Sequence, residues 1–216
     1  MKFPNYKFET KKFQEGFRFV AGCDEVGIAP LAGPVVAAAV ILDPSSIGER
    51  RSKNKWWYRV RDSKTCNEKE REELSKFITE HAVDFAVGSV THETIDKINI
   101  HQASLLAMKK SVEQLDVRAD FLFLDGLHKI KQLEIAQEAV VDGDAKILSI
   151  AAASILAKVA RDKILIELDE QYPKYGFIKH KGYPTKQHKD AILKFGVTPM
   201  HRVSFQFVKQ CLGLSS

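Results

Sequence analysis

The residues of this chain best suited to chemistry are carboxylates that end apolar runs. Val20-Ala21-Gly22-Cys23 leads straight into Asp24-Glu25 and then Val26-Gly27. Phe121-Leu122-Phe123-Leu124 leads into Asp125-Gly126, and Ala139-Val140-Val141 leads into Asp142-Gly143-Asp144. Adjacent anions are costly to hold together unless something cationic neutralises them. An Asp-Glu pair alone also fits a solvated turn, but three apolar runs that each end in an acid beside glycine point to a divalent metal site. In an open α/β sheet, side chains from positions distant in sequence converge at strand ends.

The elements that must position these acids are legible in outline. Strands are expected at Arg18 to Asp24, Val35 to Leu42 and Asp84 to Thr91, with the continuous apolar run of the second marking a buried central strand. Asn67 with Glu70 three residues on makes a capping-box-like start for a helix whose apolar face is Leu74, Phe77 and Ile78. Leu105, Met108, Val112 and Leu115 repeat at helical spacing from about Asn99 to Leu115. A long helix is expected from about Lys146 to Glu170, ending before Tyr172-Pro173. Its apolar stripe is Leu148, Ala152, Ile155, Leu156 and Val159. Ser154, Lys158 and Arg161 fall at i, i+4 and i+7 on another side. That polar side reads either as a solvated face or, given its closeness to Asp144, as a hydroxyl and cations within reach of a phosphate backbone.

A chain of 216 residues with 44% hydrophobic and 28% charged residues is long enough, and ordinary enough, for one compact enzyme domain. The net charge is +5 although several acids are committed to one site, so the remaining surface is basic and suits a polyanionic partner. Simple solubility would give the same balance. Cys23, Cys66 and Cys211 are odd in number and widely spaced, which indicates neither a disulfide framework nor a zinc cluster. The N-terminus lacks a signal-peptide core, and the longest apolar run, Val35 to Leu42, is too short to span a bilayer. A cytoplasmic protein without membrane association is expected. None of the seven histidines forms a pair at metal-ligand spacing with a nearby acid on a convincing helix. His180, His188 and His201 therefore read as substrate-side or structural groups.

Ordered blocks along nearly the whole chain resemble the type 2 ribonucleases H, the ribonuclease HII family. They are Ala21-Gly22-Cys23-Asp24-Glu25-Val26-Gly27, Pro30-Leu31-Ala32-Gly33-Pro34-Val35-Val36, Asp62-Ser63-Lys64, Leu124-Asp125-Gly126 and Gly143-Asp144. Further blocks are Ala151 to Asp162, His180-Lys181-Gly182-Tyr183-Pro184-Thr185 and His201-Arg202-Val203-Ser204-Phe205. The resemblance implies an α/β ribonuclease H-like fold: a five-stranded mixed sheet flanked by helices, with a helical C-terminal extension. One domain over 1–216 is expected, with a leader to about residue 17 and substrate-groove helices from about 172 onward. A related type 3 branch usually carries Glu as the fourth acid and an extra N-terminal domain; Asp144 and the short leader favour type 2.

The resemblance also implies site residues. Asp24, Glu25, Asp125 and Asp144 would be the catalytic and metal-binding carboxylates. Lys64, Asn99, Ser154 and Lys158 match positions near the nucleic acid, Lys181 lies in the same block as Tyr183, and Tyr183 matches the tyrosine that meets the sugar at an RNA–DNA junction. Oxygen ligands without His or Cys suit Mg²⁺ or Mn²⁺. Two ions about 4 Å apart, bridged by Asp24, could activate a water and stabilise the leaving 3′-oxygen in an in-line displacement. The implied enzyme is a monomeric endonuclease of DNA replication and repair. It would cut the RNA strand of RNA–DNA hybrids, and 5′ to ribonucleotides in duplex DNA, leaving 5′-phosphate and 3′-hydroxyl ends.

One departure stands out. The family has Gly-Arg-Gly after Asp-Glu-Val, whereas this chain has Gly27-Ile28-Ala29. The resemblance implies that this loop touches the 2′-hydroxyl largely through main-chain groups. The substitutions remove a guanidinium for phosphate and, at Ala29, the freedom to adopt positive φ without strain. The alternative function is thus a hybrid-binding protein with weakened or lost cleavage; retention of all four acids argues for the enzyme. The basic stretch Glu49 to Arg61 is longer than the family leads one to expect. Its Trp56 and Trp57 could stack on nucleic acid or pack as a hydrophobic cap, and the cap is preferred because Trp carries a large burial gain.

Overall fold

The computed structural model describes residues 3–48 and 55–214. In chain order its elements are α1 (Lys7–Gln14), β1 (Val20–Val26), β2 (Val35–Leu42), α2 (Trp56–Arg59), α3 (Glu68–His81), β3 (Ala82–Val90), α4 (His92–Ile98) and α5 (Ile100–Glu113). There follow β4 (Phe121–Asp125), β5 (Ala136–Val140), α6 (Leu148–Gln171), α7 (Phe177–His180), α8 (Lys186–Phe195) and α9 (Gln206–Cys211). The strands form one mixed sheet in the order β3-β2-β1-β4-β5. β1 and β2 are antiparallel, as are β2 and β3, while β1, β4 and β5 run parallel.

Every residue of β2 is buried, and the alternation of a strand divides them between two cores. Val36, Ala38, Val40 and Leu42 pack with α3 and α6. Val35, Ala37, Ala39 and Ile41 pack with α5. The N-terminal half of α6 is enclosed almost all round, from Leu148 to Ala157, because it lies directly on β1 and β2. Gly22 makes that approach possible: a Cβ there would stand 2.3 Å from the Ile150 backbone nitrogen.

Several expected boundaries move. The first strand starts at Val20 and runs to Val26, so Asp24, expected as its last residue, and Glu25, expected just beyond it, both lie within it. Arg18 and Phe19 give their N–H groups to the Asp120 carboxylate. The third strand begins two residues early, at Ala82. The run before Asp144 is strand only over Ala136–Val140; Asp142 is left-handed, at φ 52°, and Asp144 sits in a 3₁₀ turn over Gly143–Ala145. The Asn67 cap, accepting from Glu70 N–H, is present, and α6 stops before Tyr172.

The N-terminal segment is docked. α1 brings Phe8 and, just beyond it, Phe17 against Phe121 and Phe123 of β4. Fully buried Glu9 accepts the Ser149 N–H near the start of α6 at 2.8 Å. Trp56 and Trp57 are both buried against α3, α6 and β2, which is the cap arrangement; residues 49–54 of the same basic stretch lie outside the described residues. Cys23 and Cys66 are buried free thiols. Among the described residues no helix is long and apolar enough to cross a membrane.

Candidate active site at the strand ends

The register of β1 on β4 builds the site. Cys23 pairs with Leu124 across the parallel strands, which sets Asp24 beside Asp125 at the next position. Strand alternation sends Asp24 and its neighbour Glu25 to opposite faces of the sheet. Asp24 meets α6, where Ser154 hydrogen-bonds its carboxylate. Glu25 meets α5, where Ser104 does the same. The Ser154 hydroxyl also contacts the Ser63 hydroxyl at 3.0 Å in a buried setting, tying the Asp62-Ser63-Lys64 turn to the same carboxylate. Asp144 arrives from the 3₁₀ turn after β5, and Asp125 fixes that turn by accepting the Gly143 N–H at 2.7 Å.

Burial and neighbouring carboxylates destabilise the charge on three of the acids. Burial, then Glu25 and Asp125, hold the Asp24 carboxyl well above its ordinary range. Burial and Asp125 push Glu25 up to about 7. Burial, Asp125 and Asp62 push Asp144 up to about 6. Lys64 faces the cluster: burial works to lower its pKa, but Asp62, Asp144, Asp24 and Asp125 together outweigh that and raise it. Among the described residues no group of three or more His, Cys, Asp or Glu side chains forms a ready-made ion cage. The carboxylates lean on local donors instead, Asp24 on the Glu25 N–H at 2.7 Å and Asp125 on Gly143. A donor set of carboxylate oxygens alone, with protonation shifts that a cation would reverse, fits hard divalent ions.

The segment 27–34, which begins with the Gly27-Ile28-Ala29 loop, is held from beneath by two buried arginines, of which Arg202 alone bonds that loop. Arg202, with no exposed surface, gives hydrogen bonds to the carbonyls of Gly27 (2.7 Å), Ile28 (2.9 Å), Gly33 (3.0 Å) and Pro34 (3.1 Å). Arg161, equally enclosed, donates to Pro34 (3.0 Å), Lys181 (2.9 Å) and Ala32 (3.2 Å). Arg161 therefore does not share an outward phosphate-facing side with Ser154 and Lys158, because its guanidinium satisfies buried carbonyls. Positive φ within the loop falls on Gly27, at 104°, and not on Ala29, so the strain expected at Ala29 does not arise. A Cβ at Gly27 would meet the Arg161 Nε at 2.5 Å. Ile28 is 47% exposed.

The remaining candidates occupy varied settings. Lys158 is ion-paired with Asp162, which also faces Arg71 at 3.5 Å. Asn99 caps α5 by accepting the Gln102 N–H and adopts φ 68°. Lys181 is left-handed at φ 49°, and its ammonium lies 3.6 Å from Glu68. The Tyr183 ring packs over the Arg161 guanidinium at 5.9 Å. Its backbone is anchored by three histidines with one consistent set of tautomers. His188 Nδ1–H donates to the Tyr183 carbonyl at 3.0 Å, so its Nε2 accepts from His201 Nε2–H at 3.1 Å. His201 Nδ1 in turn accepts from the Thr198 hydroxyl at 2.8 Å. His180 donates to the Tyr175 carbonyl and accepts from the Gly182 N–H. These histidines are structural groups beneath the Tyr183 segment. Sequence reasoning missed Ser104 and Ser63, the supports of Glu25 and Ser154; the one available signal was helical spacing that put Ser104 beside the apolar face of α5.

With this geometry in place, the comparisons with known proteins agree. The family model for Ribonuclease HII matches residues 21–208. Ribonuclease HII of Endomicrobium trichonymphae is 47% identical over 207 residues, covering 96% of this chain and 94% of that protein. The crystal structure of ribonuclease H2 from Pyrococcus horikoshii OT3 superposes with a TM-score of 0.74 at 25% identity, covering 90% of this chain and 97% of that one. Bst-RNase HIII in complex with Mn²⁺ shares the fold at 18% identity with a TM-score of 0.66, over 90% of this chain and 69% of that one.

Proposed function

This chain belongs to the ribonuclease HII family and is a ribonuclease H, and on that premise we propose that Asp24, Glu25, Asp125 and Asp144 are its catalytic carboxylates. They would hold two Mg²⁺ or Mn²⁺ ions, and the chain would cut the RNA strand of RNA–DNA hybrids and 5′ to ribonucleotides embedded in duplex DNA. The observation that carries the reading is the register placing Asp24 beside Asp125, with both interacting electrostatically with Asp144 and with Lys64 facing the group. When bound, the ions would supply an activated water and charge stabilisation at the leaving 3′-oxygen.

The chain's own residues set up that chemistry. Ser154 and Ser104 hold Asp24 and Glu25 toward their two faces, which limits how far these carboxylates would move to take up the ions. Lys64 offsets part of the cluster's negative charge and gives an incoming phosphate a cation to approach. The main chain of Gly27-Ile28-Ala29, braced by Arg202, and Tyr183, its ring braced by Arg161 and its carbonyl by His188, would meet the ribonucleotide sugar. Lys181, Asn99 and Lys158 would contribute to the groove to the extent that their present partners release them. The products would carry 5′-phosphate and 3′-hydroxyl ends, the 2′-hydroxyl serving recognition. We place the chain in replication and repair, as a single cytoplasmic domain over 1–216 that acts as a monomer, with the helices from 172 onward extending the groove.

The test is cleavage of a labelled RNA–DNA hybrid and of a DNA duplex with one ribonucleotide, with Mg²⁺, with Mn²⁺ and with chelator. Metal-dependent products with 3′-hydroxyl ends are expected from both. Retention of the hybrid without product in every metal would favour the binding-only alternative.

A further inference from the structure

Beside the acids lies a cleft of ≈ 650 Å³ whose residues play no part in the site described above. One wall is the α5 face carrying His101, Leu105 and Lys109; the other is the loop after β4 with Leu127, His128, Lys129 and Lys131. Both walls are tied to catalytic carboxylates. Ser104, one turn from His101 on α5, hydrogen-bonds Glu25. Leu127 follows Asp125 by two residues, a reach of at most about 7 Å along the chain.

The loop is a rigid presentation. Ile130 is buried in the α5 core, and the Gln137 side chain of β5 grips the backbone at three points. It accepts the Ile130 N–H at 2.9 Å and donates to the Ile130 and Leu133 carbonyls at 3.0 and 3.1 Å. Gln132 sits at φ 59°, a strained setting for a residue other than glycine that tends to persist where it has a use. Anchoring Ile130 leaves its neighbours Lys129 and Lys131 exposed, without an ion pair among the described residues. Leu127 is 75% exposed. The His101 and His128 rings meet edge to face at 4.6 Å across the cleft. Lysines over an apolar and imidazole floor complement a strand that carries phosphates outside and sugars and bases inside.

We propose that this cleft binds the phosphodiester backbone of the nucleic-acid strand one to a few phosphates away from the scissile bond, with Lys129 and Lys131 each engaging a phosphate. Phosphates recur at about 3.4 Å of helix axis per strand, so a strand with one phosphate at Asp125 brings the next ones over Leu127. The proposal rests on the ribonuclease H reading above and adds a second, non-catalytic subsite to it.

The test compares the full chain with K129A/K131A, and with K11A/K76A, two exposed lysines that line neither the cleft nor the acid site, as a charge-matched control. A fluorescent 20-base-pair RNA–DNA hybrid is titrated without divalent metal across a salt series. The log-log salt slope should become shallower by about two for K129A/K131A, one for each phosphate that the variant no longer neutralises, and should stay unchanged for the control. Cleavage by K129A/K131A should show a raised KM and an unchanged kcat. Hybrids trimmed from one end or the other should separate the effect: the KM penalty should vanish when the arm over the cleft is removed, and persist when the opposite arm is removed. Equal slopes for the full chain and K129A/K131A, or a penalty indifferent to which arm is trimmed, would overturn the cleft while leaving cleavage by the unmodified chain intact. Failure of the unmodified chain to bind or cut any hybrid would overturn the reading on which the cleft rests, and the cleft with it.

Discussion

Two groups of buried charge stand close together in this molecule and solve opposite problems. At the strand ends, Asp24, Glu25 and Asp144 have their pKa values raised by burial and by the neighbouring Asp125, and Lys64 faces them. Beneath the neighbouring loop, Arg161 and Arg202 are enclosed as fully as any residue, yet hydrogen bonds to main-chain carbonyls satisfy them. Burial lowers both guanidinium pKa values, Arg161 to about 10 and Arg202 to about 9, which still leaves them charged near neutrality. The arginine pair is complete without a ligand and serves the loop's shape. The carboxylates are strained without a cation, and that strain marks them as the part that waits for one.

The largest effect should come from breaking the acidic side. Asp24→Asn or Asp144→Asn should reduce cleavage by more than about 100-fold, the scale of disturbing only the support of a metal ligand. The metal-free protein should melt at the same or a higher temperature, since each substitution relieves repulsion. Calorimetry together with hybrid cleavage checks both halves; an active Asp144→Asn variant would remove that residue from the site.

Breaking the arginine side should do the reverse. Arg202→Met takes the guanidinium donor away from the Gly27, Ile28, Gly33 and Pro34 carbonyls and should cost at least about 3 kcal/mol in urea unfolding, on the scale of charged hydrogen bonds. Arg202→Lys should not rescue it, because an ammonium cannot reproduce the planar fork. A stability loss below about 1 kcal/mol would mean that the loop is braced by something else.

The pH dependence of stability should separate the regions by sign. His188 and His201 are each held at about 4 by burial, against an unfolded value of about 6.5. Between those values the unfolded chain binds more protons, so their contribution to stability is lost as pH falls from about 6.5 toward 4. Glu25 and Asp144, raised to about 7 and about 6, bind more protons when folded, so the metal-free protein loses their contribution as pH rises from about 4 to 7. The melting-temperature difference between Asp144→Asn and the unmodified chain should therefore grow from about pH 4 to about pH 8 and shrink when Mg²⁺ or Mn²⁺ is added. A difference constant with pH would detach Asp144 from the coupled group.

How much of this is readable from the sequence follows the same division. Asp24, Glu25 and Asp125 are legible because an apolar run that ends in acid is a local pattern, and the Asn67 cap because its partner Glu70 is three residues away. Arg161 is misplaced by sequence reasoning because its partners are carbonyls, which carry no residue-type signal, and the Pro34 carbonyl lies 127 residues away. β5 is hard to place because Ala136–Val140 is a half-exposed edge strand without a continuous apolar run. Strain at Ala29 is expected by analogy with a glycine; the backbone puts its one left-handed turn in the loop at Gly27 instead.

That last point defines the smallest and most discriminating effect. Restoring Ile28→Arg should help a duplex with a single ribonucleotide more than a long hybrid, by several-fold at most, because a long hybrid offers many alternative registers and the exposed Ile28 position can place a guanidinium on a phosphate. The gain should carry a salt slope steeper by about one. Ala29→Gly alone should bring no gain, since Ala29 is not at positive φ, and should destabilise the loop by up to about 1 kcal/mol through chain entropy. Tyr183→Phe and Tyr183→Ala then divide the sugar contact into its hydroxyl and its ring. If Ala29→Gly rescues the single-ribonucleotide substrate and Ile28→Arg does not, recognition depends on loop flexibility, and the view of a loop fixed from below by Arg202 is wrong.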